Sequence, residues 1–219
     1  MTAGAVIQAR MSSSRLPGKT LMPLAGRPAL DWLLERLEHA AELEAIVVAT
    51  SEEPADDPVA EHCRARGIAC HRGSLDDVAE RLLGAAQAHG LDLVVRVNGD
   101  SPLLDQRLVD RGVALQRDTG ADLVSNVRPR SFPPGQSVEV FTTEALRRSL
   151  ELDRDADDRE HVTGPFYRGG FTVERFASDP PRTAPRLTLD GAEDHARLEA
   201  ILESLERPHW EYGWEDFAE

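Results

Sequence analysis

Lysine is nearly missing from this chain. Of its 25 basic residues a single one, Lys19, is lysine and every other is arginine. Cysteine is scarce too. Cys63 and Cys70 are too few for a disulfide framework and read as reduced thiols. No apolar run approaches the roughly 18 residues that a membrane span needs, and the N-terminus lacks the charged-then-apolar pattern of a secretory signal. The expectation is a cytoplasmic protein with no membrane partner. Net positive charge is also lacking, at −14. That excludes nucleic acid as a bulk partner, because a phosphate backbone demands a basic face. Any phosphate must be met by a local basic site.

What is present is enough for one domain spanning 1–219, at 41% hydrophobic residues. Ala3 to Ala9 reads as a short buried strand, and apolar residues at 30, 33, 34 and 37 have the spacing of one helix face. Ala45 to Thr50 is a near-continuous apolar strand of the parallel-sheet kind. A helix follows over Asp57 to Arg66, closed by Gly67 as a C-cap, then a strand over Ile68 to His71. Ser74 with Asp77 three residues on resembles a capping box opening a helix that runs to His89-Gly90. Leu91 to Val97 is another buried strand, followed by a helix over Gln106 to Gln116 and a strand over Asp122 to Ser125. This alternation predicts an α/β fold with a doubly wound, mostly parallel sheet. Ligands bind such sheets at the carboxyl ends of the strands. After Asn126 the pattern changes. A turn-rich crossover leads to strands at Ser137 to Thr142, Phe171 to Phe176 and Arg186 to Leu189, a helix over Ala192 to Leu205, and an aromatic tail that packs on the body or on a second subunit.

The densest polar stretch follows the first strand: Gln8-Ala-Arg-Met-Ser-Ser-Ser-Arg-Leu-Pro-Gly-Lys19. Three cations, three serines and a glycine after an apolar run look like a cradle for phosphates, and the isolated lysine suggests a position needing a compact ammonium. The plain alternative is a solvated loop. A P-loop is not supported: Ser13 stands where its first glycine belongs, and the prolines and Gly26 that follow Lys19 oppose a helix. Gly99-Asp100-Ser101-Pro102 follows a buried strand. Asp100 is well placed there to hold Mg²⁺ beside substrate phosphates, although Asp and Pro are also ordinary turn formers. Asp190 is a second strand-end carboxylate, or an N-cap. His62-Cys63 and Cys70-His71 lack the spacing of a structural zinc site and read as packing. His161, beside Glu160, contacts a substrate acid, lies at an interface, or is an ordinary histidine.

With these residues in place, the chain resembles the cytidylyltransferases that make CMP-activated sugars, in particular their spore coat polysaccharide branch. The loop from Gln8 to Lys19 is similar to that family's A-R-x-x-S-x-R-x-P-x-K nucleotide loop. Leu24 to Pro28, Arg72-Gly-Ser74, Gly99 to Pro102 and Arg159 to Thr163 also match. Gln8 stands where the octulosonate-specific enzymes carry proline, Ser101 where the branch often has cysteine, and Asp190-Gly191 where Asp-Thr is expected.

The resemblance implies a three-layer nucleotide-diphospho-sugar transferase fold with a small dimerisation and sugar-binding extension over 128–176, hence a homodimer. It implies transfer of CMP from CTP to a small acidic sugar with release of pyrophosphate, for surface polysaccharide biosynthesis, with Mg²⁺ as cofactor. Arg10, Arg15, Lys19 and Asp100 would be catalytic. Gln8, Ala9, Ser14, Arg72, Ser74 and Asn98 would join them around the nucleotide. Glu139, Glu160 and His161 would face the sugar, and Asp100 and Asp190 the metal. Three rivals remain: a nucleotidyltransferase of the same fold with another nucleotide or acceptor, a sugar-nucleotide-dependent glycosyltransferase, and a scaffold without turnover. The glycosyltransferase needs a D-x-D-like pair, a spacing that Asp56-Asp57 and Asp76-Asp77 lack.

Overall fold

A computed structural model describes residues 1–13 and 15–217. The elements in chain order are β1 (Ala3–Gln8), the two-residue strands β2 (Pro23–Leu24) and β3 (Arg27–Pro28), α1 (Ala29–Glu38), β4 (Ala45–Ser51), α2 (Asp57–Arg66), β5 (Ala69–Gly73), α3 (Val78–Ala88), β6 (Leu93–Asn98) and α4 (Gln106–Thr119). They continue with β7 (Leu123–Ser125), β8 (Glu139–Thr142), α5 (Thr143–Leu150), α6 (Ala156–His161), β9 (Val173–Arg175) and α7 (Ala192–Glu203). Short 3₁₀ turns join several of them, and no helix among the described residues is long and apolar enough to cross a membrane.

Seven strands form one sheet in the order β5-β4-β1-β6-β8-β7-β9. β1, β4, β5 and β6 pair in parallel, as their apolar runs and intervening helices predict. β8 is antiparallel to both neighbours. The reason is its entry: residues 126–138 contain no crossover helix, so the chain turns back from the end of β7 and must run the other way. The carboxyl ends of the parallel strands and the start of β8 therefore share one edge.

Helices cover both faces. Leu30, Leu33, Leu34 and Leu37 of α1, Val59 and Cys63 of α2, and Leu108, Val109 and Val113 of α4 pack with Ile7, Val48, Val95 and Val124. On the other face, Leu82 and Ala86 of α3 and Leu146 of α5 pack with Val6, Val47, Val94 and Phe141. A third cluster, Leu24, Leu103, Leu187, Leu189, Leu198 and Phe217, lies beneath α7 and the tail. The tail's aromatic residues thus pack on the body: Trp214 and Phe217 are buried.

Two expectations need correction. Residues 186–189 pair with no strand; Leu187 and Leu189 instead donate N–H groups to the carbonyls of Pro134 and Asp100. The start of α3 is capped by Asp77, whose side chain accepts from Glu80 N–H at 2.9 Å, while Ser74 Oγ accepts from Asp77 N–H one turn earlier. A carboxylate is the stronger acceptor, and Arg154 fixes this one with two hydrogen bonds. The stretch 128–176 supplies β8 in the sheet's interior and β9 at its edge.

Candidate active site

The loop after β1 is shaped by its own backbone. Met11 carbonyl accepts from the N–H groups of Ser13 and Gly18, both at 2.9 Å, and Met11 N–H reaches Asp56 Oδ1 at 2.6 Å. Gly18 sits at φ 76°, a left-handed conformation that a side chain would oppose. A 3₁₀ turn over Lys19–Leu21 follows, in place of the α-helix a P-loop requires. Buried Thr20 donates to Arg10 carbonyl at 3.0 Å, closing the loop on itself. The result turns the Lys19 side chain back toward the sheet.

At the end of β6, Gly99 approaches β1 so closely that an added Cβ would lie 3.0 Å from Gln8 carbonyl and 3.1 Å from Ala9 Cβ. This approach brings Asp100 opposite the loop. Lys19 Nζ lies 2.6 Å from Asp100 Oδ2 and 2.9 Å from Asp190 Oδ1, so one ammonium joins two carboxylates. Asp190 also meets Arg15 at 3.0 Å and Arg186 at 3.2 Å. Burial alone would push its carboxyl pKa up, but Lys19, Thr188 and Arg15 together more than reverse this and hold it below the usual carboxylate value. The N-cap of α7 is Gly191, with no side-chain cap bond, so Asp190 serves the Lys19 cluster and not the helix end.

A cavity of about 310 Å³ opens beside this cluster. Gln8, Ala9, Arg10, Arg15, Lys19, Asn98, Asp100, Glu160 and His161, all picked out by the sequence, line it together. Arg10 pairs with Glu160 at 3.2 Å across its mouth. Oxygen donors are what a hard divalent cation takes. Asp100 and Asp190 already share a cation in the Lys19 ammonium, so these residues fit Mg²⁺ together with substrate phosphates.

The other sequence candidates lie elsewhere. Arg72 turns away to Asp57 at 2.6 Å and to the carbonyls of Ser51 and Glu53, and Ser74 caps the approach to α3. Neither lines the cavity. Glu139 lies behind its wall, buried, accepting from Thr163 Oγ1 and from Arg96, each at 2.7 Å. Ser14 falls outside the described residues. Cys63 is buried beside Cys70, whose thiol and the surrounding burial push the Cys63 thiol up. His62 pairs with Asp31.

Two arginines escaped the sequence reading. Arg96 lines the cavity and binds Gln8 Oε1 at 3.0 Å, Glu139 Oε2 at 2.7 Å and His161 carbonyl at 3.0 Å, tying β1, β8 and α6 together. Its signal was a lone charge among the valines of β6. Arg81 is 2% exposed, donates to the carbonyls of Ser74 and Leu75, and carries an Nε with no hydrogen-bond partner among the described residues. Burial lowers its pKa to about 10. It borders a small annexe of the cavity with Gln8, Ala9 and Arg10. Val162, just after His161, is buried at φ 62°, an unusual conformation for a β-branched residue, and ends α6 there.

Comparison with known proteins agrees with this geometry. A cytidylyltransferase family model matches residues 5–182. The spore coat polysaccharide biosynthesis protein SpsF of Bacillus subtilis is 33% identical, over 93% of this chain and 88% of its own. A 3-deoxy-manno-octulosonate cytidylyltransferase of Geobacter sulfurreducens is 32% identical over 92% and 87%. The structure of a cytidylyltransferase from Leptospira borgpetersenii superposes with a TM-score of 0.93 and 32% identity, over 99% of this chain and 92% of that one. The sheet, the strand-end cavity and the extent of these matches together make the chain a nucleotidyltransferase of the cytidylyltransferase family.

Proposed function

We propose that this enzyme transfers CMP from CTP to a hydroxyl of a small acidic sugar, for surface polysaccharide biosynthesis. The carrying observation is the convergence of Arg10, Arg15, Lys19 and Asp100 on one strand-end cavity. The sugar class rests on the octulosonate-specific relative and the polysaccharide role on the spore coat relative.

On this reading the acceptor oxygen bonds to the α-phosphorus, the bond from that phosphorus to the bridging oxygen breaks, and pyrophosphate leaves. The hydroxyl proton passes to solvent. Positioning and neutralisation of charge are the chain's main contributions. Arg10, Arg15 and Lys19 hold the triphosphate and neutralise charge growing on the departing pyrophosphate. Gln8, Ala9 and Asn98 frame the nucleotide, with buried Arg81 on the annexe side where Arg72 and Ser74 are absent. Glu160 and His161 face the acceptor, and Arg96 with Glu139 holds that wall. Asp100 and Asp190 would hold Mg²⁺, which when bound would supply further neutralisation of phosphate charge and a more acidic acceptor hydroxyl. The functional unit is a homodimer, with 128–176 contributing to the interface.

Thermal stabilisation by CTP, UTP, GTP and ATP, each with and without Mg²⁺, tests the reading, since a ligand of the native state raises stability by RT ln(1 + [L]/Kd). The expected result is a Mg²⁺-dependent shift with CTP alone, followed by pyrophosphate release with a sugar acid. A preference for another nucleotide, or full turnover by a folded Asp100→Asn variant, overturns it.

A further inference from the structure

We infer that the Lys19 ammonium is itself the resident cation between Asp100 and Asp190 until nucleotide arrives, and that it then exchanges with the divalent metal, so that metal and nucleotide bind as a linked pair. The inference rests on the nucleotidyltransferase reading of this site but concerns a step that precedes chemistry.

The geometry is that of an occupied cation site. Nζ lies within 2.9 Å of an oxygen from each carboxylate, and the side chains of Lys19, Asp100 and Asp190 are 12%, 23% and 11% exposed. A divalent ion placed between the same oxygens would meet a positive charge at hydrogen-bonding range in a half-dry site, where repulsion is poorly screened. The free enzyme should therefore hold metal weakly. A triphosphate changes the balance by offering the ammonium new oxygens on the cavity side. Lysine suits such a move because its charge is compact and its stem flexible, whereas a guanidinium is a planar fork committed to its partners. That accounts for a lysine here in a chain that uses arginine at every other basic position.

The two carboxylates are not equivalent in this exchange. Asp190 keeps Arg15, Arg186 and the hydroxyl of Thr188 when the ammonium leaves. Asp100 retains among the described residues only a 3.4 Å contact from Ser101 Oγ, so it is the carboxylate whose need for a new cation is greater. Linkage makes the coupling reciprocal: the factor by which nucleotide tightens metal equals that by which metal tightens nucleotide.

The test is Mn²⁺ binding followed by electron paramagnetic resonance, with and without a non-hydrolysable CTP analogue, on the wild type and Lys19→Met. The wild type should bind Mn²⁺ weakly alone and on the order of tenfold or more tightly with the analogue. Lys19→Met should bind Mn²⁺ alone on the order of tenfold more tightly than the wild type, with the nucleotide effect much reduced. If the variant does not fold, lysine labelled with ¹³C at Cε gives a single side-chain resonance in the wild type, because Lys19 is alone. It should move with analogue plus Mg²⁺ and stay in place with Mg²⁺ alone at the same concentration. Nucleotide-enhanced Mn²⁺ binding in the wild type, with no gain in folded nucleotide-free Lys19→Met, overturns the exchange while leaving the enzymatic reading standing. No effect of the CTP analogue on Mn²⁺ or on the lysine resonance overturns both.

Discussion

Arg96 Nη1 and Glu139 Oε2 lie 2.7 Å apart on directly paired positions of β6 and β8, with side chains only 10% and 8% exposed. This cross-strand ion pair joins the parallel part of the sheet to its one reversed strand and, through Gln8 and the carbonyl of His161, fixes two walls of the cavity. Breaking one partner of a buried pair strands the other charge. Arg96→Met should therefore cost about 3–5 kcal/mol of stability. Adding Glu139→Leu to it should recover much of that loss, since no charge is then left unpaired. Urea unfolding of the two variants checks this; an equal loss in both would show that the pair contributes packing and not charge compensation.

Arg36 holds the tail. It is fully buried, and its guanidinium donates to the carbonyls of Leu104 and Tyr212, each at 2.7 Å, and to that of His209. Burial lowers its pKa to about 10, which leaves it charged at neutral pH. Arg36→Met should leave three carbonyls without their donor and cost about 3 kcal/mol or more. The loss should be local first, so limited proteolysis is expected to cut within 205–217 in the variant before the sheet opens.

His209 gives the fold a pH dependence. Burial, only partly offset by Glu35, lowers its pKa to about 4, against an ordinary value of 6.5. Between these two values the unfolded chain takes up a proton that the folded one refuses, so stability falls as pH drops from 6.5 toward 4. His71, lowered in the same direction by burial and His89, adds to the slope. Denaturation midpoints measured across this window should fall less steeply for His209→Gln than for the wild type. Parallel curves would remove His209 from the account.

Glu160 faces Arg10 across the mouth of the cavity, with its own side chain exposed and that of Arg10 half-buried. Exposed pairs of this kind are worth about 1 kcal/mol or less. Glu160→Gln should therefore leave stability unchanged and tighten CTP binding by at most about fivefold, by freeing Arg10 and removing a negative charge beside the triphosphate. The KM for the acceptor should rise if Glu160 faces the sugar. Calorimetric titration with CTP and steady-state kinetics separate the two effects.

Much of this site was legible in the sequence because its parts are contiguous. The strand from Ala3, the polar loop to Lys19 and the Asn98-Gly-Asp100 turn each announce a strand end, and the parallel pairing of β1 with β6 brings those ends together. Glu160 and His161, far along the chain, needed the family resemblance to be connected to them. The sequence also determined the helices on each face, through apolar spacing, and the lysine's singularity. Tertiary structure alone decided the rest. The reversal of β8 follows from a connection too irregular to read, and Arg96's role depends on which residue of β8 lies opposite it. Arg72 matches the family pattern yet is drawn to Asp57, because a guanidinium goes to the nearest carboxylate and carbonyls that the fold supplies. Asp190, read from sequence as a metal ligand or a helix cap, turns to Lys19. Local propensity permits both orientations, and the electrostatics of a half-buried ammonium 171 positions earlier in the chain chooses between them.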